Sequence, residues 1–374
     1  MRSALSWFNM GFLSGLQKGE KKKAMAKTTS ISTRTQTIKY IIYVLLINFV
    51  ACNTNSFDSL LKSAENGDAE AQYEVYKYYY CGNDNIPKDC NKAVEWLQKS
   101  ANQGYVYAQY DLGCCYDNGE CLPKNYKKAV EWYQKAVLQD FAQAQYILGV
   151  KYRHGEGIEQ DDVKAVELYQ KAANQGYAPA QCNLGFMYEN GLGVEQDYVK
   201  AVEWYQKAAN QGEIIAEHNL GNMYRDGKGV VQDYAKAVEW TQKAANQGDA
   251  AAQCSLGHKY RDGIGVAKDY TKAAEWYQKA ANQGYADAQN SLGILYAEGN
   301  GVAQNHFKAF ELFQKAANQE NALAHRNLGI CYENGYGVAK DRMKALDCYR
   351  KAAELGDDVA LSYLMDFLSI DKEL

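Results

Sequence analysis

The stretch Ala180 to Gly212, AQCNLGFMYENGLGVEQDYVKAVEWYQKAANQG, decides the fold, because close copies of it recur along the chain at one spacing. The glycine of its Leu184-Gly185 pair returns as Gly113, Gly149, Gly221, Gly257, Gly293 and Gly329, always in steps of 36 residues. Trp96, Trp132, Trp204, Trp240 and Trp276 keep the same register, with Leu168, Leu312 and Cys348 in the gaps. A strict period of this length marks a stacked array, which grows along one direction and has no single central core.

Within the unit, Ala180, Leu184 and Tyr188 stand four apart with Gly185 beside them, which predicts a first helix, helix A, over 178–190. Glycine costs up to about 1 kcal/mol against alanine in a helix interior, so the return of Gly185 in every unit but the first predicts a backbone passing close there. Gly191 and Gly193 are expected to stop helix A. Asp197 is the expected N-cap of a second helix, helix B, which carries Ala201, Trp204, Tyr205 and Ala208 at i, i+3, i+4, i+7 and closes at Gly212. Large Trp204 and Tyr205 alternating with small Ala201 and Ala208 suits interlocking helices, and gives the 31 tyrosines a packing role. The expected fold is all-α: an α/α solenoid, or superhelix, of about eight 36-residue helix-turn-helix repeats with terminal capping helices.

The units fall at about 71–105, 106–141, 142–177, 178–213, 214–248, 249–284, 285–320 and 321–356. Residues 57–70 end like a repeat and predict an N-terminal capping half-repeat; 357–374 predict a C-terminal capping helix. Before the array, residues 1–51 hold 8 Lys+Arg against 1 Asp+Glu, leaving 33 against 44 elsewhere out of totals of 41 and 45. Acids interleave with bases on every helix, which argues against a nucleic-acid surface. The basic stretch followed by the short apolar run Tyr40 to Ala51 reads as a leader and signal peptide, with Met25 as a possible true start. That run is too short for a bilayer core of about 30 Å.

The residues Phe49-Val50-Ala51-Cys52 resemble the bacterial lipoprotein signal, which implies an acylated Cys52 followed by a spacer over 52–56 and a membrane held through that lipid. The alternatives are ordinary cleavage near Ala51 or an uncleaved membrane-associated segment.

The pattern A-x-x-x-L-G-x-x-Y-x-x-G-x-G-V-x-x-D-x-x-K-A-x-x-W-Y-x-K-A-A-x-Q-G over residues 57–367 resembles the Sel-1-like repeat, a relative of the tetratricopeptide repeat. Leu256-Gly257, Tyr260, Gly263, Gly265-Val266, Asp269, Lys272-Ala273, Trp276-Tyr277 and Lys279-Ala280-Ala281 show it with few changes. The resemblance implies a non-enzymatic adaptor or scaffold, often exported in bacteria, that binds a protein or peptide without a cofactor. The first unit departs, with Tyr76-Lys77 for Leu-Gly and Asn83 and Asn85 at the glycine columns; the second has Cys121 at the later one. Irregular loops are expected there.

Comparing units separates fixed from variable positions. The variable columns of helix A lie on one side and run through Tyr110, Tyr146, Cys182, His218, Cys254, Asn290 and Arg326; through Cys114, Val150, Phe186, Asn222, His258, Ile294 and Ile330; and through Asp117, Arg153, Glu189, Arg225, Arg261, Ala297 and Glu333. The concave helix-A face of a solenoid carries the side chains that read a partner. The expected contacts are Tyr110, Cys114, Tyr146, Arg153, Phe186, His218, Arg225, His258, Arg261, Ile294, Arg326 and Ile330, on a monomer in the cell envelope, secreted or facing a host. The plainer reading is a solvated face.

Catalytic signals are sparse. Ser59-Leu60-Leu61-Lys62 fits S-x-x-K of penicillin-recognising enzymes, and cysteine-rich relatives of the repeat family suggest a β-lactam or peptidoglycan-binding alternative, but S-D-N and K-T-G are absent. Cys182, His218 and Cys254 share a column, yet equivalent positions of stacked repeats stand too far apart to share a zinc ion. Cys81, Cys90, Cys114, Cys115 and Cys121 cluster in the two irregular units, where a disulfide from Cys81 or Cys90 to the second unit is expected as a staple. The Asp371-Lys372-Glu373-Leu374 terminus has the wrong order for an endoplasmic-reticulum retention signal.

Overall fold

The computed structural model describes residues 54–83 and 86–370, so the leader, Cys52, Asn85 and Asp371 to Leu374 lie outside the described residues. All regular structure among the described residues is helical. The A helices are Ala69–Cys81, Val106–Asn118, Ala142–His154, Ala178–Asn190, Ile214–Asp226, Ala250–Asp262, Ala286–Glu298 and Ala322–Asn334. The B helices are Cys90–Asn102, Tyr126–Val137, Asp162–Asn174, Tyr198–Ala209, Tyr234–Asn246, Tyr270–Asn282, His306–Ala317 and Arg342–Glu354. Thr54–Glu65 precedes them and Asp358–Ile370 follows. The chain divides into two compact units, one ending at Ala216 and the other beginning at Glu217.

Each repeat is punctuated by the residues its sequence supplies. Gly191 ends its A helix in the left-handed conformation, and the Asp197 carboxylate accepts from the Lys200 N–H at 3.0 Å to open the B helix. At the far end Gly212 takes φ +79°, its N–H donates to Ala209, and the Glu213 N–H donates to Ala208 at 3.1 Å, a Schellman closure. Asp140 and Glu320 hold the same left-handed position without being glycine.

The repeated Gly185 meets a ring as well as the backbone expected of it. A Cβ there would lie 2.8 Å from Cδ1 of Tyr205, with the Ala201 carbonyl oxygen next at 3.1 Å. The glycine is a slot for the fully buried ring of the B helix, and Gly113, Gly149, Gly257 and Gly329 admit Tyr133, Tyr169, Tyr277 and Tyr349 the same way. Where the first unit has Lys77 in place of the glycine, Leu97 stands in place of the tyrosine. Ala201, Ala208, Ala180 and Leu184 are buried as expected, whereas Trp204 is half-buried, with the Lys207 ammonium over its ring at 3.9 Å.

A glutamine ladder stitches successive repeats. Gln181 Nε2 donates to the Ala173 carbonyl of the preceding repeat at 3.1 Å, and its Oε1 accepts from Gln211 Nε2 at 2.8 Å. Gln109 with Gln139, Gln253 with Gln283, and Gln289 with Gln319 repeat the device. The amides of Gln109, Gln181, Gln253 and Gln289 are buried and satisfied, so they fix register at little cost. In the last repeat His325 and Leu355 occupy the two positions.

One helix precedes the repeats and another follows them. Phe57 of the first meets Tyr78 edge-on at 5.1 Å, and Tyr363 of the last stacks on Tyr349 at 5.3 Å.

Candidate functional site

Most residues of the variable A-helix columns are half-buried, whereas Cys182, Cys254 and Asn290 are buried and Glu333 is exposed. In the compact unit that ends at Ala216, the Tyr110 ring lies edge-on to Phe141 at 5.4 Å and tilted on Tyr133 at 5.8 Å. Cys114 is half-buried 3.5 Å from the Tyr133 hydroxyl, and burial pushes its thiol far above the usual range. Tyr146 packs on Tyr177 at 5.3 Å and Tyr169 at 5.9 Å. The Arg153 guanidinium covers the Phe186 ring of the next repeat at 4.5 Å.

In the compact unit that begins at Glu217, His218 Nδ1 sits 3.8 Å from the buried Asp249, and burial nevertheless pushes its pKa down. His258 lies edge-on to Tyr277 at 5.2 Å with its Nε2 3.2 Å from Ser291 Oγ, and burial lowers its pKa also. Arg225 forks onto Asp226 at 2.6 and 3.0 Å, and Arg261 onto Asp262 at 2.7 Å on both prongs. Arg326 Nη1 donates to Asp357 at 2.9 Å. Ile294 packs on the Phe313 cluster and Ile330 on the Tyr349 cluster. Every expected contact residue is partly buried.

One variable column is coupled to the buried tyrosine of its own repeat. Where helix A offers an acid, the hydroxyl uses it: Tyr205 donates to Glu189 and Tyr349 to Glu333, both at 2.7 Å, and Tyr133 donates to Asp117 at 3.4 Å. Where the column holds Ala297, the ring opposite is Phe313, which has no hydroxyl. Where it holds Arg153 or Arg261, the hydroxyl of Tyr169 or Tyr277 is buried without a partner. This pairing is legible in the sequence at a spacing of 16 residues.

Two residues of the site escape sequence reasoning. Lys151 and Lys259 share an A-helix column with Cys115, Met187, Met223, Leu295 and Cys331, and each is 4% exposed. The signal was a lysine in a column of sulfur-bearing and aliphatic residues. Lys151 pairs with Asp117 of the preceding repeat and with Glu156 at 2.7 Å.

The remaining chemical candidates are scattered. Ser59 and Lys62 are exposed on the first capping helix. Among the described residues no three His, Cys, Asp or Glu side chains gather where they could hold a metal ion. Cys90 and Cys121 are joined by a disulfide, with Cα atoms 5.1 Å apart.

Eight matches to the Sel1 repeat cover residues 69–105, 106–141, 142–177, 178–213, 214–249, 250–285, 286–321 and 322–357. No curated protein matches the chain. Among solved structures, c5321, a protective antigen of uropathogenic Escherichia coli strains displaying an SLR fold, is 40% identical over 82% of this chain, with a TM-score of 0.74. The chain spans 66% of the length of that antigen. A Sel1 repeat protein from Oxalobacter formigenes is 33% identical over 83% of this chain and 89% of its own, with a TM-score of 0.63. Sel1 repeat proteins are generally protein–protein interaction scaffolds and typically non-enzymatic. With a helix pair, a glycine slot and a capped loop returning every 36 residues, the chain belongs to the Sel1 repeat family.

Proposed function

We propose that this chain is a non-enzymatic scaffold that holds a protein or peptide against the A-helix face. The observation that carries this reading is the contrast within each repeat. Packing columns keep their residue types, while the variable columns hold Tyr110, Tyr146 and Phe186 in one compact unit and Arg225, Arg261 and Ile294 in the other. Aromatic and arginine side chains already ordered by their neighbours lose little freedom on binding, which is what contact residues require. Replacing Phe186, Arg225 and Arg261 together by alanine is expected to abolish capture of the native partner from membranes by the full chain, with the circular dichroism of the helices unchanged. Undiminished capture by the triple variant would overturn the reading.

We further propose that the protein works outside the cytoplasm, anchored through lipid on Cys52. The basic leader with its short apolar run and the Cys90–Cys121 disulfide both favour an oxidising compartment. Cells fed radiolabelled palmitate are expected to label the protein, and Cys52→Ser is expected to remove both label and membrane fractionation. A labelled Cys52→Ser protein would defeat the lipid assignment.

A further inference from the structure

Lys151 and Lys259 occupy equivalent places three repeats apart, and their surroundings carry opposite charge. A lysine buried this deeply normally has an acid beside it. Lys151 has Asp117 and Glu156. At the positions 108 residues further on, Asp117 becomes Arg225 and Glu156 becomes Ile264. Lys259 accordingly makes no ion pair or hydrogen bond among the described residues, and an arginine stands where its acid would be.

The local balance is therefore reversed. Asp117, Lys151 and Glu156 sum to −1, whereas Arg225, Asp226 and Lys259 sum to +1. Asp226 is the carboxylate whose field reaches Lys259, but both of its oxygens are held by Nε and Nη2 of Arg225. Burial, followed by the Arg225 charge, pushes the Lys259 ammonium below the usual lysine range. The third guanidinium nitrogen, Nη1 of Arg225, has no protein partner among the described residues, and the side chain is 42% exposed. One deep cation, within the field of one partly exposed guanidinium, thus stands with a single spare positive charge.

We propose that Arg225 and Lys259 form an oxyanion site that receives the carboxylate of an acidic residue in a bound peptide. The ligand supplies to Lys259 what Asp117 and Glu156 supply to Lys151, with Arg225 Nη1 as the outer donor and Lys259 as the buried anchor. Charge-assisted bonds of this kind, partly shielded from water, are among the stronger polar contacts a protein can offer. This site rests on the reading of the A-helix face as a peptide-binding surface.

The test titrates the full chain with a dye-labelled peptide of six glutamates capped at both ends, with its glutamine counterpart, and with inorganic phosphate. The glutamate peptide is expected to bind and the glutamine peptide not to. Lys259→Met and Arg225→Asp are each expected to weaken binding by about tenfold or more, while Lys171→Met, at an exposed lysine outside the site, leaves it unchanged. Both site variants keep a foldable repeat: methionine is native to this column at Met187 and Met223, and aspartate at 225 recreates the Asp117–Lys151 pairing. Phosphate binding with the same sensitivity, and none by the glutamate peptide, would keep the oxyanion site and overturn its assignment to a carboxylate. Glutamate-peptide binding undiminished in both variants, or absent from the parent chain, would overturn the site. If the Phe186, Arg225 and Arg261 triple variant still loses its native partner in that case, the scaffold reading stands without it.

Discussion

Breaking the Cys90–Cys121 bond is expected to cost the first two repeats about 3–4 kcal/mol, the chain-entropy value for a cross-link enclosing a loop of 31 residues. The position explains why a cysteine is tolerated there. In other repeats the residue 31 places after the start of a B helix is a glycine lying on that helix's first backbone: Gly157 on Tyr126, Gly193 on Asp162, Gly265 on Tyr234, Gly301 on Tyr270 and Gly337 on His306. Any Cβ at those glycines would collide with the backbone. Cys121 has a Cβ and the same left-handed φ, +60°, and the bond to Cys90 replaces the bare contact. Cys121→Ala therefore loses the cross-link and leaves alanine in a conformation that costs about 1–2 kcal/mol. The pair Cys90→Tyr and Cys121→Gly installs the residues found at Tyr126 and Gly157, and should regain the backbone contact without the cross-link. Urea unfolding followed through Trp96 and Trp132 separates the two: dithiothreitol should lower the midpoint of the parent chain and leave the double variant unmoved. An unmoved parent midpoint would show that the bond carries no stability.

Asp111→Asn is expected to stabilise the protein at pH 7 by about 2–3 kcal/mol, and to stop doing so near pH 4. Burial raises the Asp111 carboxyl to about 6, against the opposing pull of the hydrogen bond from Tyr73 at 2.8 Å and of the Lys77 charge. The sign follows from proton counting. Below about 4 the group is neutral folded and unfolded, and costs nothing. Between about 4 and about 6 the folded state holds a proton that the unfolded chain releases, so stability falls as pH rises, and above about 6 the full penalty is present. Asparagine keeps an acceptor for Tyr73, and is the natural residue of this column at Asn183, Asn219 and Asn327. The difference in urea midpoint between variant and parent should open across that window. A constant difference from pH 4 to pH 7 would show that Asp111 titrates normally.

Most of the repeat was legible because its signals are local. Gly191, Asp197 and Gly212 do at helix ends what their backbone chemistry dictates, and the 36-residue period names the partner of every element. Gly185 was harder. Its absence of a side chain announces close approach, but whether a backbone or a ring approaches depends on the helix opposite, and Tyr205 sits 20 residues away. The staple between Cys90 and Cys121 was foreseen only as one of several pairings, since its spacing becomes meaningful once glycine contacts at the same separation are known. Lys259 was hidden for another reason. A lysine on a helix is ordinarily solvated, and only the missing acid beside it, visible by comparison with Lys151, sets it apart.

The glutamine ladder gives the array a direction. Each rung donates to the repeat before it and is completed inside its own repeat, so nothing is owed to the repeat that follows. Copying or deleting a whole repeat within such a run leaves every amide matched, which makes copy number an easily changed trait.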